Sequence, residues 1–300
     1  MDWEAQLIFV YLTVCHFFMQ DPRRKKIRNS PNNILIFTDE EVIAIYIFGI
    51  LSGHRTVKNI HKFTYCHIGN WFPNLPKYNA FLHRINILMT EIVSFSDAFI
   101  QKFNCKNDNK ENPILIDSMP IILAKGSRAP NAKVAKQTAK LGYCASKKLY
   151  YHGVKFHMFA EYKDNSLPKP RLLEITQANV HDLKAVKQIF ADFSGCKIIG
   201  DKAYCDSQCK QILAAKNIEL HTPIKLSKNK QELNSDELSY CKVINSFRQS
   251  IEILFSWLIE KTGIQNASKV RSEQGLGVHI FGRFAAALIL LGTSGNVYFS

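Results

Sequence analysis

The chain has 300 residues, enough for one large domain or two modest ones with a packed core. Its 39 lysines and arginines against 25 acids give a formal charge of +14, a balance that solubility does not require and that points to a polyanion, either nucleic acid or an anionic membrane. Eight scattered cysteines, with no C-x2-C pair, exclude a disulfide scaffold and fit reduced thiols in a cytoplasm.

An apolar run from Leu7 to Met19 opens the chain. It has no basic stretch before it and no small-residue cleavage site after it, and its about 13 residues fall short of the roughly 20 that span a bilayer. It reads as a packing helix over residues 1–20. Gln20 to Asn33 is a polar linker, and its Arg23-Arg24-Lys25-Lys26 run is either a solvated loop or a phosphate contact. Thr38, followed three residues later by Glu41, is a capping box. Val42, Ile43, Ile45, Tyr46, Ile47 and Ile50 form the apolar side of that helix, and Gly53 stops it. Helical segments near Thr56–Tyr65 and Asn79–Phe95 complete a small bundle, which is either a helix-turn-helix DNA reader or a structural cap on the next domain. The hydrophilic stretch Asn104 to Asn112 marks a boundary. It divides the chain into a helical domain over residues 1–104 and a second domain over 105–300.

Pro113 introduces Ile114-Leu115-Ile116, an apolar triplet too short for a helix, which delivers Asp117 at the end of a buried strand. From Ser118 to Ala160 there is no acid but eight basic residues: Lys125, Arg128, Lys133, Lys136, Lys140, Lys147, Lys148 and Lys155, with Tyr143, Tyr150 and Tyr151 interleaved. Such a segment repels itself unless a polyanion lies against it. Lys147, Lys148 and Lys155 are the candidate phosphate contacts; the competing reading is a basic loop with no specific ligand. Tyr151–Tyr162 alternates as a strand, with Val154, Phe156, Met158 and Ala160 on one face and Lys155, His157 and Phe159 on the other. Lys169–Ile175 reads as its partner. Asn179 and Asp182 supply helix-start chemistry ahead of the buried stripe Val186, Ile189, Phe190 and Phe193, and capping accounts for His181 and Asp182.

Ile198-Ile199, closed by Gly200, is a second short strand, with Asp201 at its end and a helix-compatible segment from Ser207 to Lys216 beyond. An acid in that place is either a functional group in the crevice at the strand ends or a helix cap. Two buried strands that each end on an aspartate bring like charges together, and these need a cation between them. Glu219 to Pro223 can add a fifth strand, and Lys225 to Glu237 reads as an exposed loop. In the helix from roughly Tyr240 to Lys261, Ile251, Leu254, Phe255 and Leu258 form the buried stripe. Arg248 and Glu252 stand at i and i+4 on one face, the spacing of an ordinary surface ion pair. A last helix spans about Gly277 to Leu291. Cys205 and Cys209, and the group His61, Cys66 and His67, match no closed zinc site.

Ile-Asp-Ser at 116–118, Gly-Asp-Lys-Ala-Tyr at 200–204 and Arg-x3-Glu-x2-Phe-Ser at 248–256 resemble the three blocks of DDE-type bacterial insertion-sequence transposases, most narrowly the branch numbered nine-eight-two. The likeness extends to Ala145–Lys148, Tyr151–His157, Ala178–Asp182, Phe37–Glu41 and Asn70–Pro76, and covers roughly residues 35 to 292. It implies an RNase H-like mixed sheet flanked by helices and preceded by a small helical domain, a fold that the order of strands and helices also suits. It further implies Asp117, Asp201 and Glu252 as catalytic residues and metal ligands, with Mg²⁺ as two ions for which Mn²⁺ can substitute, and Arg248 as a DNA contact.

Phosphodiester hydrolysis needs an activated oxygen nucleophile and relief of charge at both the attacking and the leaving oxygen, which two divalent ions held by carboxylates supply. The resemblance implies cutting at terminal inverted repeats followed by joining of the 3′-hydroxyl to target DNA. It implies a homodimer on double-stranded DNA in a bacterial cytoplasm, with no membrane partner. Two positions depart from the signature of related groups on the last catalytic helix: Asn245 stands where tyrosine is found, and Ile259 where lysine is found. The alternative is a basic DNA-binding protein that derives from such a transposase and has lost catalysis.

Overall fold

The computed structural model describes residues 2–21, 36–105, 112–186, 190, 193–204, 211, 213–225 and 232–294. The Arg23–Lys26 run, Cys205 and Cys209 lie outside these residues, as does half of the segment expected to be helical from Ser207 to Lys216. The chain divides into two compact units, one of Met1–Lys102 with Leu258–Ser300 and one of Phe103–Trp257. The sequence reading assigned all of 105–300 to a single domain; here the residues from Leu258 onward group with the N-terminal helices.

In the first unit, α1 (Trp3–Met19) starts at Asp2, whose carboxylate accepts a hydrogen bond from the Ala5 N–H at 2.7 Å. α2 (Asp39–Leu51) opens on the capping box: the Glu41 N–H donates to the Thr38 hydroxyl at 3.2 Å, and the Glu41 carboxylate accepts from the Thr38 N–H. Every residue from Val42 to Ile50 is buried, so α2 has no solvent face. A helix apolar all round belongs in a core, and α1, α3 (Val57–His67), α4 (Tyr78–Ile87) and α8 (Glu273–Ser294) pack around it. The helix expected over Asn79–Phe95 is two helices, α4 and α5 (Met89–Cys105), with a break at Leu88 that no glycine or proline announces. Arg84 pairs with Asp39 and donates to the Phe37 carbonyl at 2.6 Å, so its charge holds α4 to the start of α2. α8 is long and apolar enough to cross a bilayer, but 72% of that stretch is buried within the protein.

In the second unit a mixed sheet runs in the order β2-β3-β1-β5-β6, with β4 also paired to β3. β1 is Ile114–Lys125, β2 Lys140–Cys144, β3 Leu149–Glu161, β4 Lys169–Gln177, β5 Lys197–Ile199 and β6 Glu219–His221. β1, β2 and β4 are antiparallel to β3, while β1–β5 and β5–β6 are parallel. β1 does not stop at Asp117 as the apolar triplet suggested; it continues through Pro120. Proline is tolerated there because beyond Leu115 β1 pairs with β3 alone, so the ladder to β5 asks for no donor at that position. β2 was not anticipated from the sequence. β2 and β4 lie end to end along one edge of β3, since β2 pairs with residues 149–153 and β4 with 154–161.

Both faces of the sheet are covered. Ile114, Ile116 and Phe159 pack with Phe190, Ile198, Tyr204 and Leu213 on one face. α7 (Ser235–Thr262) covers the other, where Phe255 meets Phe156 with ring centroids 6.4 Å apart. β3 therefore buries both sets of alternating side chains, as a central strand requires. At its end Glu161, 1% exposed, receives Arg171, Lys163 at 2.8 Å and the Asn112 amide at 3.2 Å.

Burial alone would raise the Glu161 carboxyl, but hydrogen bonds from Lys163 and Asn112 and the Arg171 guanidinium hold it below its ordinary range. A depressed acid contributes stability that is present above the ordinary glutamate pKa and is lost as pH falls through the folded value. Glu161→Gln should therefore cost about 2 kcal/mol at neutral pH by leaving two partly buried cations uncompensated. The acid limb of its stability profile should be flatter than that of the wild type, as denaturant titrations over a pH series would show.

Candidate active site

Three separate elements deliver the acids that the sequence singled out. Asp117 comes from the interior of β1, Asp201 from the turn that follows β5, and Glu252 from the middle of α7. β1 and β5 are adjacent and parallel, with Leu115 opposite Ile199, so the two aspartates leave neighbouring strands in the same direction. Alternation along β1 puts Ile114 and Ile116 into the core on one face and turns Asp117 toward the α7 face. Gly200 lets the turn close: a Cβ there would stand 2.8 Å from Ile116 and 2.9 Å from the Tyr204 ring. The turn itself is a single 3-10 step, in which the Tyr204 N–H donates to the Asp201 carbonyl at 2.9 Å and the Lys202 N–H to the Asp201 carboxylate at 2.6 Å. That second bond is local and engages one carboxylate oxygen, Oδ1.

Arg248 stands among the acids. Its guanidinium is 3.2 Å from Glu252 and 3.7 Å from Asp201, and its charge also reaches Asp117. The pair expected on a free helix surface is therefore part of a site: the Arg248 side chain is only 17% exposed, and its Nε is buried with no partner. Nη1 also faces the Asn245 amide oxygen at 3.5 Å, so the residue in the tyrosine position touches the same group.

Burial pushes the Asp117 carboxyl up to about 7. The Ser118 N–H at 2.8 Å and Arg248 pull it down, while the charges of Asp201 and Glu252 push it further up. With all three acids ionised, one guanidinium leaves two negative charges unbalanced, and hard carboxylate oxygens are the donors that a divalent cation such as Mg²⁺ prefers. The residue types thus fit a metal. Among the described residues, however, no group of three acids, histidines or cysteines already stands together as a ligand shell. Arg248 spans two of the acids instead.

The face of β3 opposite Asp117 holds a polar cluster that the sequence reading did not assemble. The Lys155 ammonium donates to the Asp182 carboxylate and to the Val180 carbonyl, both at 2.8 Å. Asp182 is thus an ion-pair partner rather than a helix cap, and His181 performs the local capping, its Nδ1 accepting from the Leu183 N–H at 3.3 Å. His157 Nε2 is 2.8 Å from the Thr176 hydroxyl. Burial lowers His157 to about 4, with Asp182 opposing and Lys155 reinforcing the shift, so the ring is neutral. Tyr204 is buried beside Ser118 without completing a hydrogen bond, and burial followed by the charges of Asp182, Asp117 and Asp201 raises its phenol well above the ordinary range. The available signal was a lysine and a histidine at alternate positions of a strand otherwise apolar on both faces.

Of the eight basic residues between Ser118 and Ala160, seven are exposed, among them Lys147 and Lys148 in the turn between β2 and β3. Lys155 is the exception. Its ammonium is committed to Asp182 and Val180, which removes it from the surface set.

The family model described as a transposase DDE domain matches residues 108–272, more than half of the chain, and its span contains Asp117, Asp201, Arg248 and Glu252. The chain belongs to the DDE transposase family. Neither a curated protein nor a solved structure matches it. The mixed α/β architecture, with helices before a mixed sheet, is that of an RNase H-like DDE domain. Membership carries transposase activity and DNA binding as general properties of the family, and a use of divalent metal that suits the donor set of this transposase.

Because the folded Asp117 pKa is raised, the metal-free transposase loses stability as pH climbs from the ordinary aspartate range to about 7. Asp117→Asn removes this loss. In chelator-treated protein its unfolding midpoint should match the wild type near about pH 4 and exceed it by a few degrees near about pH 8. A lower midpoint at the higher pH would mean that Arg248 already over-compensates the ionised carboxylate.

Proposed function

We propose that this transposase mobilises a bacterial insertion sequence of the branch numbered nine-eight-two, acting in the cytoplasm as a homodimer on double-stranded DNA. It cuts the terminal inverted repeats and joins the freed ends to target DNA. The observation that carries the reading is the convergence of Asp117, Asp201 and Glu252 from three elements onto one guanidinium, inside the span that the family model matches.

In the first step a water oxygen attacks phosphorus at the element's end, and the bond to the 3′ oxygen breaks, leaving a 3′-hydroxyl. In the second step that hydroxyl attacks a target phosphodiester, whose own bond to its 3′ oxygen breaks and leaves a target 3′-hydroxyl, so no protein–DNA bond forms. Asp117, Asp201 and Glu252 would hold Mg²⁺ or Mn²⁺, which, when bound, supplies charge relief at the attacking and leaving oxygens. The chain's own part is orientation. The Ser118 and Lys202 N–H groups each fix one carboxylate oxygen, and Arg248 holds Asp201 and Glu252 in a common field. Arg248 can also meet a DNA phosphate once a cation takes over the acids, since a guanidinium suits either partner.

Asp117→Asn, Asp201→Asn and Glu252→Gln should each abolish Mg²⁺-dependent nicking of a terminal-repeat duplex while duplex binding persists. Glu260, an exposed acid paired with Lys261 at 2.8 Å, is the control, and Glu260→Gln should cut like the wild type. Wild-type protein that binds the duplex and never cuts it, with Mg²⁺ or Mn²⁺, would leave the inactive DNA-binding descendant as the better reading.

Lys147 and Lys148 are the phosphate contacts best placed by exposure. Replacing both with glutamine should weaken binding to repeat and random duplexes alike. The slope of log affinity against log salt should fall by about 0.9 per contact, and so by nearly two units. Anisotropy over a salt series reads this directly, and an unchanged slope would return the turn to the status of a solvated loop.

A further inference from the structure

The hairpin of β2 and β3 presents two unlike faces. One is closed: Tyr151, Ile122 and Ala178 form a small core, with Cys144 and Leu149 packed against it. Gly142 belongs to that face, and a Cβ there would stand 2.4 Å from the Ala178 carbonyl, so the strand is pressed directly onto the backbone beyond β4. The other face carries Leu141, Tyr143 and Tyr150, exposed by 40%, 51% and 60%. Tyr143 lies directly opposite Tyr150 in the ladder, with ring centroids 4.9 Å apart and planes inclined at 51°. The rings are tilted, not stacked, so the pair leaves aromatic surface open to a third planar group. His152, the next residue along this face, is buried with its Nε2 2.8 Å from the Val134 carbonyl, which fixes the inner end of the hairpin.

Two large aromatic rings held in water on a hairpin bury little for the fold beyond their own cross-strand contact, and their surroundings are electropositive. Lys140, Lys147 and Lys148 are exposed within a few residues, and no acid occurs between Ser118 and Ala160. Aromatic side chains interleaved with lysines on a backbone-tracking surface are the chemistry that holds unpaired nucleotides: each base offers a π-face, and the cations meet the phosphates. A second copy of this chain is the rival occupant. Pairing through the free edge of β2 would bring the same lysines of two copies together, and lysines on an edge strand oppose such pairing.

We infer that the Tyr143–Tyr150 face is a stacking platform for unpaired bases of a DNA strand. The inference rests on the reading of the chain as a transposase that opens or trims DNA ends, and it adds a subsite distinct from the three acids. Stacking on tyrosine is tolerant of sequence, so the platform would register strand separation and not base identity.

The test is equilibrium binding in the presence of a chelator, where no cutting occurs and the catalytic reading is not at stake. Labelled oligothymidylate and a blunt duplex are titrated in parallel with the full chain. The double variant Tyr143→Ala/Tyr150→Ala should bind the single strand about tenfold or more weakly while its affinity for the blunt duplex stays within about twofold. Tyr143→Phe/Tyr150→Phe keeps the rings and should stay within about twofold of the wild type on both. Equal losses on single strand and duplex, no loss on either, or a wild-type chain that ignores the single strand would each overturn the platform. So would unchanged binding accompanied by a smaller assembly in light scattering, which would assign the face to contact between copies. A wild-type chain that prefers the single strand but never cuts a terminal repeat would sustain the platform while removing the catalytic reading.

Discussion

The second unit is organised around a repulsion. Asp117 is sunk into the wall of the sheet, where burial disfavours its ionised form, and two further carboxylates share its field. Such an arrangement persists only if the scaffold holds each acid where it stands and a cation relieves them. The scaffold does this with three devices that do not depend on one another: the parallel pairing of β1 with β5, the tight Gly200–Tyr204 turn, and the packing of α7 through Phe255. Relief without metal comes from Arg248, whose side chain is mostly covered although its i,i+4 partner Glu252 is exposed. With all three acids ionised, the arginine offsets one negative charge of three and leaves the rest for a cation.

The reverse side of the sheet solves a related problem by a different route. Lys155, Asp182, His157 and Thr176 place polar groups inside the fold, and each side chain finds a partner across the strand or in the segment that follows β4, although His157 Nδ1 stays buried without one. His157 stays neutral there, so the cluster contains one ion pair and no surplus charge. Tyr204 joins the two sides: its backbone closes the turn that carries Asp201, while its ring packs over Gly200 in the core. Lys155 belongs to this internal set, which explains why a basic residue in a basic segment is not part of the exposed lysine surface.

Much of the site was legible in the sequence because short apolar runs that end on an aspartate admit few readings. Asp117 and Asp201 stand out on that ground, whereas the spacing of Arg248 and Glu252 reads locally as a surface ion pair and only the family resemblance brings them in; the structure puts all four into one electrostatic field. What escaped was set by contacts distant in sequence. The length of β1 depended on which of its edges is paired past Leu115, something that Pro120 argues against locally. α2 was read as one-sided because the sequence does not reveal that four helices surround it. Asp182 looked like a cap because capping is local and its true partner, Lys155, lies on another element. The break at Leu88 carries no helix-breaking residue, and the grouping of Leu258–Ser300 with the N-terminal helices has no compositional mark.

The path of the chain between β1 and β3 has an evolutionary corollary. The two strands are antiparallel neighbours in register from Ile114 opposite Glu161 to Lys125 opposite Tyr151, so a tight turn would suffice to connect them. Instead residues 126–148 make an excursion that includes β2 and most of the exposed lysines of the acid-free segment. Topologically the excursion is an insert: it can lengthen, shrink or be exchanged between related chains without disturbing the ladder that positions Asp117. The proposed DNA surface and the acids of the candidate site are thereby separately heritable, and one can drift while the other is held fixed.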